Sequence, residues 1–574
     1  MPKELALGAP RRLATPASIG VAIVVLLPVV AGLVGTLLPS LGLIRGDAGS
    51  DHGTPPIFRV LADAQFGRAV LLSLFTGVFS TALAFALAAA FCASAAGRRR
   101  SGRFWLVLTP ILAAPHAAIA IGVAFLIAPS GWIVRLLSPW LTGWDVPPDV
   151  ITVGDGAGLA LIGTLVIKEF PFIVLMTLSA SRQVPVALHL RTASALGYSP
   201  QGAWLKIILP QLYRQLRLPV YAVLAYSVSV VDMSLILGPT GPPTLGVLAF
   251  RWLVGPNAGA YPLGAAAALL LLGVGVVAIG VWRLGERVLA VVGRRALARG
   301  RRGSGAIAAR FGRLSGGAAF TMGGAALLAI GIWSVAEVWR FPAPFPSAWS
   351  FGTWRTQSSA VGNLVFTTLA LAISSTAIAL LLVVPWLEST TRHRGQRSRL
   401  DAAIVYGPLL IPQIAFMFGL QVFLVRLRID GTFLSVVWVH VVFVVPYLFI
   451  ALADPWGSLD PRYERTALAL GASRTRVFLK IRLPMLFGPL AVAAAIGFSV
   501  SVAQYLPTLF AGGGRISTLT TETIALAASG DRRVISVYAF IQAALPLAAI
   551  VAAVTLPRFV AARHTPFARA GKWR

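Results

Sequence analysis

RTASALGYSPQGAWLKIILP, Arg191 to Pro210, returns as RTALALGASRTRVFLKIRLP, Arg465 to Pro484, with twelve of twenty positions identical and an offset of 274 residues in a chain of 574. Both copies are polar or amphipathic segments set between long apolar runs. A segment that recurs once per half-chain, inside otherwise apolar sequence, marks a duplicated membrane protein.

The local chemistry of each copy can be read residue by residue. A helix-forming run ends at Gly197, where a residue lacking Cβ takes the left-handed conformation that closes a helix. Ser199 is placed to cap a new helix, and Pro200 suits its first turn. Gly471 and Ser473 repeat the device. Trp204 or Phe478, Lys206 or Lys480, and Ile207 or Ile481 follow, and Pro210 or Pro484 is expected to stop the helix. Each copy therefore reads as helix, tight glycine turn, short helix, stop.

Working outward, the chain is 57% hydrophobic and 12% charged with a mean hydropathy of +0.81, outside the range of soluble globular domains. About twelve apolar runs are long enough to cross a bilayer, near 18–43, 69–95, 104–128, 157–180, 215–237, 262–283, 317–338, 361–386, 402–425, 432–452, 487–509 and 535–557. A formal net charge of +30 would point to nucleic acid in a soluble protein. Here most of the Lys and Arg fall in the N-terminus, the repeated loops, the loops near 97–103 and 387–400, the segment 284–316 and the C-terminus, which is the positive-inside bias. Both termini and both repeated loops are therefore expected in the cytoplasm, with anionic lipid headgroups as neighbours and no nucleic-acid partner. Six spans separate the two loops, an even number, so the halves are parallel repeats. The Arg11-Arg12 pair before the first run reads as positive-inside charge on an uncleaved signal anchor.

Several classes of chemistry are disfavoured. The single Cys92 allows no intrachain disulfide and no cysteine metal cluster. The six histidines are scattered without metal-ligand spacing, so no metal site is assigned. None of the five lysines sits in a Gly-Lys-Ser/Thr phosphate loop, and Leu314-Ser315-Gly316-Gly317, which looks like part of an ATPase signature, is read as linker.

Charges and prolines inside spans are the remaining signals. Pro110 and Pro115-His116 in the third span, and Pro408 and Pro412-Gln413 in the ninth, imply kinks; a glycine follows the second proline by seven residues in each, Gly122 and Gly419. Lys168 and Glu169 lie within the fourth span, where charge is expensive and faces a cavity or a partner; Asp232 in the fifth is the expected partner of Lys168. SVSVVDM (Ser227 to Met233) matches SVSVAQY (Ser499 to Tyr505), setting Asp232 opposite Gln504. The first half is longer by about 23 residues between its third and fourth spans, at Ser130 to Asp155, where Trp132, Trp140 and Trp144 fit an interfacial belt or a docking surface. An outer loop carries Asp47, Asp51 and Asp63, and Arg515, Thr520, Thr521 and Glu522 form a polar outer cluster.

The repeated stretch, with its alanine-rich head, its glycine turn and its closing Ile-x-Leu-Pro, resembles the cytoplasmic coupling loop of permease subunits of binding-protein-dependent ABC importers. Two such loops in one chain resemble the fused permeases of the iron(III), thiamine and polyamine branch. The resemblance implies an all-α integral membrane fold with two parallel six-helix repeats: a first half over 1–283 with its coupling loop at 181–210, a basic cytoplasmic linker over 284–316, and a second half over 317–574 with its coupling loop at 454–484. It implies that Arg191, Thr192, Ala193, Gly197, Ser199, Trp204, Lys206 and Pro210, with Arg465, Thr466, Ala467, Gly471, Ser473, Phe478, Lys480 and Pro484, meet two ATPase subunits. Those partners would bind ATP and Mg, leaving no cofactor in this chain. A periplasmic or lipid-anchored binding protein would deliver the substrate across the inner membrane. By the same resemblance Ser227, Ser229, Ser499, Ser501, Gln504 and Tyr505 join Lys168, Glu169 and Asp232 as the substrate path. The family begins the loop with Glu, where this chain has Arg191 and Arg465, with Glu464 one place early in the second copy only. The stretch QYLPTLFAGGGRISTLTTE resembles a thiamine-like branch, so thiamine or a related small organic solute is the expected cargo, with iron(III) and polyamine as alternatives. A proton-coupled secondary transporter is the competing class. It would use Lys168, Glu169 and Asp232 and would have no need of duplicated loops.

Overall fold

A computed structural model of the chain describes residues 15–43, 54–96, 102–300, 302–303, 305–392, 399–528 and 530–564. Arg11, Arg12, Asp47, Asp51 and the basic stretches at 97–101 and 393–398 lie outside the described residues. The first half comprises α1 (Pro16–Ser40), α2 (Phe66–Ser94), α3 (Gly102–Ala113), α4 (His116–Ile127), α5 (Leu159–Ser181), α6 (Val186–Ala195), α7 (Leu209–Ser229), α8 (Asp232–Leu237) and α9 (Tyr261–Ala298). The second comprises α10 (Ala306–Val335), α11 (Gly352–Arg392), α12 (Arg399–Leu410), α13 (Gln413–Arg426), α14 (Phe433–Gly457), α15 (Pro461–Ala469), α16 (Phe487–Val502), α17 (Leu506–Gly512) and α18 (Arg532–His564). Short helices lie between some of these. Among the described residues β-structure is confined to the antiparallel pair β1 (Ala336–Val338) and β2 (Ala348–Trp349).

Among the described residues nine helices are long and apolar enough to cross a bilayer, and two bent pairs, one of them α12 with α13, raise this to eleven. The twelfth expected span is α7. Its first turns carry Gln211, Arg214, Gln215 and Arg217, which depress its hydropathy. These polar groups are used locally: Arg217 pairs with Glu286 of α9 at 3.1 Å, and the Tyr213 and Tyr221 hydroxyls donate to the same carboxylate at 2.6 and 3.0 Å.

The first helix of each half packs on the other half. Helix α1 lies along α13, and α10 lies along α2 and α4. Small residues let these backbones approach, as in many membrane helix pairs. A Cβ on Gly419 of α13 would stand 2.0 Å from the Gly32 carbonyl oxygen of α1, and one on Gly122 of α4 would stand 2.5 Å from the Ala326 carbonyl oxygen of α10. The Gly419 N–H donates to Thr36 Oγ1 at 3.1 Å across the first of these crossings. The glycine seven residues after each in-span proline thus forms the floor of a helix crossing, while the proline itself breaks the span: α3 ends before Pro115, and α12 and α13 bend by 101° at Pro412.

Residues 284–316, expected to be a basic cytoplasmic linker, are helical on both sides of a short connection, because α9 runs on to Ala298 and α10 starts at Ala306. Leu314-Ser315-Gly316-Gly317 lies inside α10, not in a linker. Gly316 is small because a Cβ there would come within 2.6 Å of the Phe91 ring.

At the end away from the repeated loops, the longer segment of the first half is tied to the second. Trp132 Nε1 donates to the Pro344 carbonyl at 3.0 Å. The buried Arg135 guanidinium donates to the carbonyls of Ser130, Arg340 and Trp339 at 2.9, 2.8 and 3.3 Å, and sits 5.1 Å from the Trp339 ring centroid. Arg532 of α18 reaches the same Ser130, donating to its carbonyl at 3.1 Å and its Oγ at 2.8 Å. Trp140 and Trp144 remain exposed.

Candidate functional site: two repeated loops and a polar cluster

The repeated loops have the same backbone. Helix α6 ends at Gly197 with φ +82° and α15 ends at Gly471 with φ +81°. The closing hydrogen bonds match: the Tyr198 N–H reaches the Ala193 carbonyl and the Ala472 N–H the Ala467 carbonyl, both at 3.0 Å. The Ser199 Oγ then accepts from the Gly202 N–H at 3.1 Å, and the Ser473 Oγ from the Arg476 N–H at 3.3 Å. These are the turn and cap that the sequence implied. The expected stop at the proline does not occur. Each short helix widens into one π-helical turn, Trp204–Ile208 or Phe478–Arg482. Pro210 and Pro484 then sit in the first turn of the following α-helix, where a proline's missing N–H costs little.

Ala193, Trp204 and Ala467 are buried, anchoring the loops, while Arg191, Thr192, Gly197, Pro210, Arg465, Thr466, Gly471, Ser473, Lys480 and Pro484 are exposed; Ser199, Lys206 and Phe478 are half-buried. Leu196 and Leu470, beside the two turns, are exposed apolar side chains. Both loops lie at one end of the bundle. They follow the ends of α5 and α14, and Gln183 Nε2 donates to Asp454 Oδ2 at 3.2 Å between the halves there.

The in-span charges do not pair as expected. Lys168 does not meet Asp232. Its ammonium donates to the carbonyls of Ile111, at 2.9 Å, Leu112, at 3.1 Å, and Ala114. These carbonyls stand at the broken end of α3, where Pro115 has no N–H to offer, so the lysine satisfies backbone groups that a continuous helix would have paired. Glu169 instead faces His116 of α4, with Oε1 3.3 Å from Nε2. The His116 ring lies 4.8 Å from the Tyr226 ring, and the Tyr226 hydroxyl donates to Asp232 Oδ1 at 3.4 Å. From the second half Tyr447 lies within electrostatic range of Glu169, and Tyr505 within range of Asp232. Asp232 stands where the fifth span breaks between α7 and α8; its counterpart Gln504 stands where the eleventh breaks between α16 and α17. Polar groups of both halves therefore gather where these helices are interrupted, and interrupted helices near such a cluster are a recurring design in transporters.

Ser501 belongs to a separate buried lock. Thr508 Oγ1 donates to the Gln504 carbonyl at 2.8 Å, which leaves it to accept from His440 Nε2–H at 2.9 Å. His440 Nδ1 then accepts from Ser501 Oγ at 2.7 Å, and Ser501 accepts from Ser375 Oγ at 3.0 Å. Ser229 and Ser499 bond to carbonyls of their own helices, and Ser227 is buried. The outer cluster disperses as well. Thr520 is buried and bonds the Val502 carbonyl, Thr521 joins Thr518 in capping a helix, and Arg515 pairs with Asp430. Tyr226 and Tyr447 gave no sequence signal, being ordinary aromatic residues in apolar spans. His116 had one, its place after an in-span proline.

The fold and the paired loops define a multi-pass helical membrane protein of two related halves. An inner membrane ABC transporter permease protein of Escherichia coli K12, YnjC, is 28% identical over 528 residues, which cover 91% of this chain and 92% of that protein. The molybdenum transport system permease protein ModB of Mycobacterium tuberculosis is 26% identical over 156 residues, 25% of this chain and 59% of ModB. The spermidine/putrescine transport system permease protein PotC of Haemophilus influenzae is 23% identical over 160 residues, 28% of this chain and 62% of PotC. No family model matches. The end-to-end match to YnjC, with the partial matches to ModB and PotC, supports a fused two-half permease subunit of the ABC-importer type, a multi-pass inner-membrane transport component rather than an enzyme. Permeases of this class work with an ATPase and a substrate-binding protein.

Proposed function

We propose that this chain forms the translocation pathway of an ATP-driven importer for a small organic solute, thiamine or a compound related to it. The single observation that carries the importer reading is the pair of near-identical loops at one end of an interlocked two-half bundle. On this reading the termini and both loops are cytoplasmic, the halves divide at the connection between α9 and α10, and one ATPase copy docks on each loop, on the exposed faces that include Arg191, Leu196, Gly197, Arg465, Leu470 and Gly471. Hydrolysis of Mg–ATP takes place in those partners. Differential binding of ATP to two states of the bundle moves the rigid loop helices, and with them α5 and α14, between inward- and outward-facing forms. The thiamine assignment rests on the likeness of Gln504 to Glu522 to a thiamine-like branch. The names of ModB and PotC show how widely cargo varies among relatives.

A second reading draws on the His116–Glu169 pair and Asp232, groups that also suit proton coupling. The two separate cleanly. Proteoliposomes holding the permease, its ATPase and its binding protein are expected to take up radiolabelled thiamine with ATP and not with a proton gradient alone. Uptake driven by the gradient without ATP would replace the importer with a secondary transporter.

A further inference from the structure

We infer that the polar cluster between the halves lines a binding site for an organic cation, formed by Asp232 and Glu169 with Tyr226, Tyr447 and Tyr505. The inference rests on the permease reading for the solute's passage, but the site itself stands on its own geometry. Asp232 forms no ion pair among the described residues; its carboxylate accepts from the Tyr226 hydroxyl at 3.4 Å, long for a hydrogen bond to a carboxylate, and from backbone N–H groups at the start of α8, with His116 within electrostatic range. Glu169 faces the His116 ring, which is 29% exposed and thus borders open space. The one lysine nearby, Lys168, has turned away and committed its ammonium to three carbonyls of α3.

Asp232, Tyr226, Tyr447 and Tyr505 lie deep in the bundle yet are not fully covered, so they border an internal space rather than the outer face. The helices that present Asp232 and Gln504 are interrupted there, and irregular backbone within a span persists where it borders a cavity or is buried in protein. Both halves contribute, as a site on the path between them requires.

Two acids and three phenol rings in a desolvated space favour one class of guest. A cation over an aromatic face gains from the ring quadrupole, more so when water is excluded, and a carboxylate within the protein needs a counter-charge. A ring or ammonium cation supplies both. An oxyanion such as molybdate would meet two carboxylates and no free cation except a protonated His116. A metal ion is poorly served, because no three His, Cys, Asp or Glu side chains converge among the described residues.

The test is equilibrium binding to the full chain in lipid nanodiscs, with radiolabelled thiamine as probe and tetraethylammonium and molybdate as competitors. Saturable thiamine binding is expected, displaced by tetraethylammonium and not by molybdate at equal concentration. Asp232→Asn is expected to weaken it at least about tenfold, the scale of one lost charge contact, with Asp232→Glu largely restoring it. If Asp232→Asn does not fold, Tyr505→Ala is to weaken binding instead. Absence of saturable cation binding, equal displacement by molybdate, or unchanged binding by a folded Asp232→Asn would overturn the assignment. No ATPase is present in this experiment, so its failure leaves the importer reading standing, and failure of ATP-driven uptake leaves the cation site standing.

Discussion

The two repeated loops share a backbone and differ in what holds them. In the second, Arg482 is buried and bridges Glu388 of α11 at 2.9 Å and Glu464 of α15 at 3.5 Å, stacked 5.7 Å from the Trp456 ring. The equivalent positions in the first are Ile208 for Arg482 and Leu190 for Glu464, so apolar packing replaces an ionic clasp. The first loop is also covered by the connection between the halves. A Cβ on Gly202 would stand 2.6 Å from the Gly303 carbonyl oxygen, and one on Gly197 would stand 3.0 Å from Arg302 Nη1; among the described residues nothing lies within 4 Å of the corresponding point on Gly471. In the second loop the position of Gly202 is taken by Arg476, which is exposed. The backbone of each loop is thus fixed by local sequence, whereas its mooring differs between the halves.

The contrast can be broken at its strongest point first. Arg482→Ala removes the cation that bridges the buried Glu388 and Glu464 and is expected to destabilise the second half by ~3–5 kcal/mol. Ile208→Ala at the equivalent position is expected to cost the first half ~2–4 kcal/mol through a cavity. Thermal unfolding in detergent, with a protease-accessibility readout for each loop, measures both. High salt should leave the Ile208 effect unchanged. An equal, salt-independent loss at both positions would mean that the clasp has no ionic character. A smaller effect is expected from Gly202→Val, which meets the Gly303 carbonyl and should cost ~1–3 kcal/mol by overpacking. Its signature is a connection at 299–305 that becomes more sensitive to protease, while Arg476→Val leaves that connection unchanged. Identical cleavage in both variants would show that the connection does not rest on the first loop.

What the sequence made legible was local. The glycine turns at 197 and 471 and the serine caps at 199 and 473 depend on residues a few positions apart, and the spans depend on runs of apolar residues. The failures were tertiary. Lys168 seemed matched to Asp232 by charge, but the carbonyls freed at Pro115 lie closer and take its ammonium. The glycines at 122 and 419 read as parts of kinked helices, and their role emerged only when α10 and α1 were seen crossing there from the opposite halves. Ser501 looked like path lining and proved to be held by His440, a residue 61 positions away. No periodicity announces such pairings, because they are set by how broken helices rotate against one another.

The measurement that bears most directly on the coupling-loop account is co-purification of the chain from its own membranes in mild detergent, with the partners identified by mass spectrometry. The wild-type chain should bring down an ATPase. Gly197→Arg combined with Gly471→Arg should stay inserted in the membrane and lose it, since a left-handed φ disfavours any residue with a Cβ by ~1–2 kcal/mol and both exposed turns would change shape. An ATPase recovered equally with the inserted double variant would contradict the account.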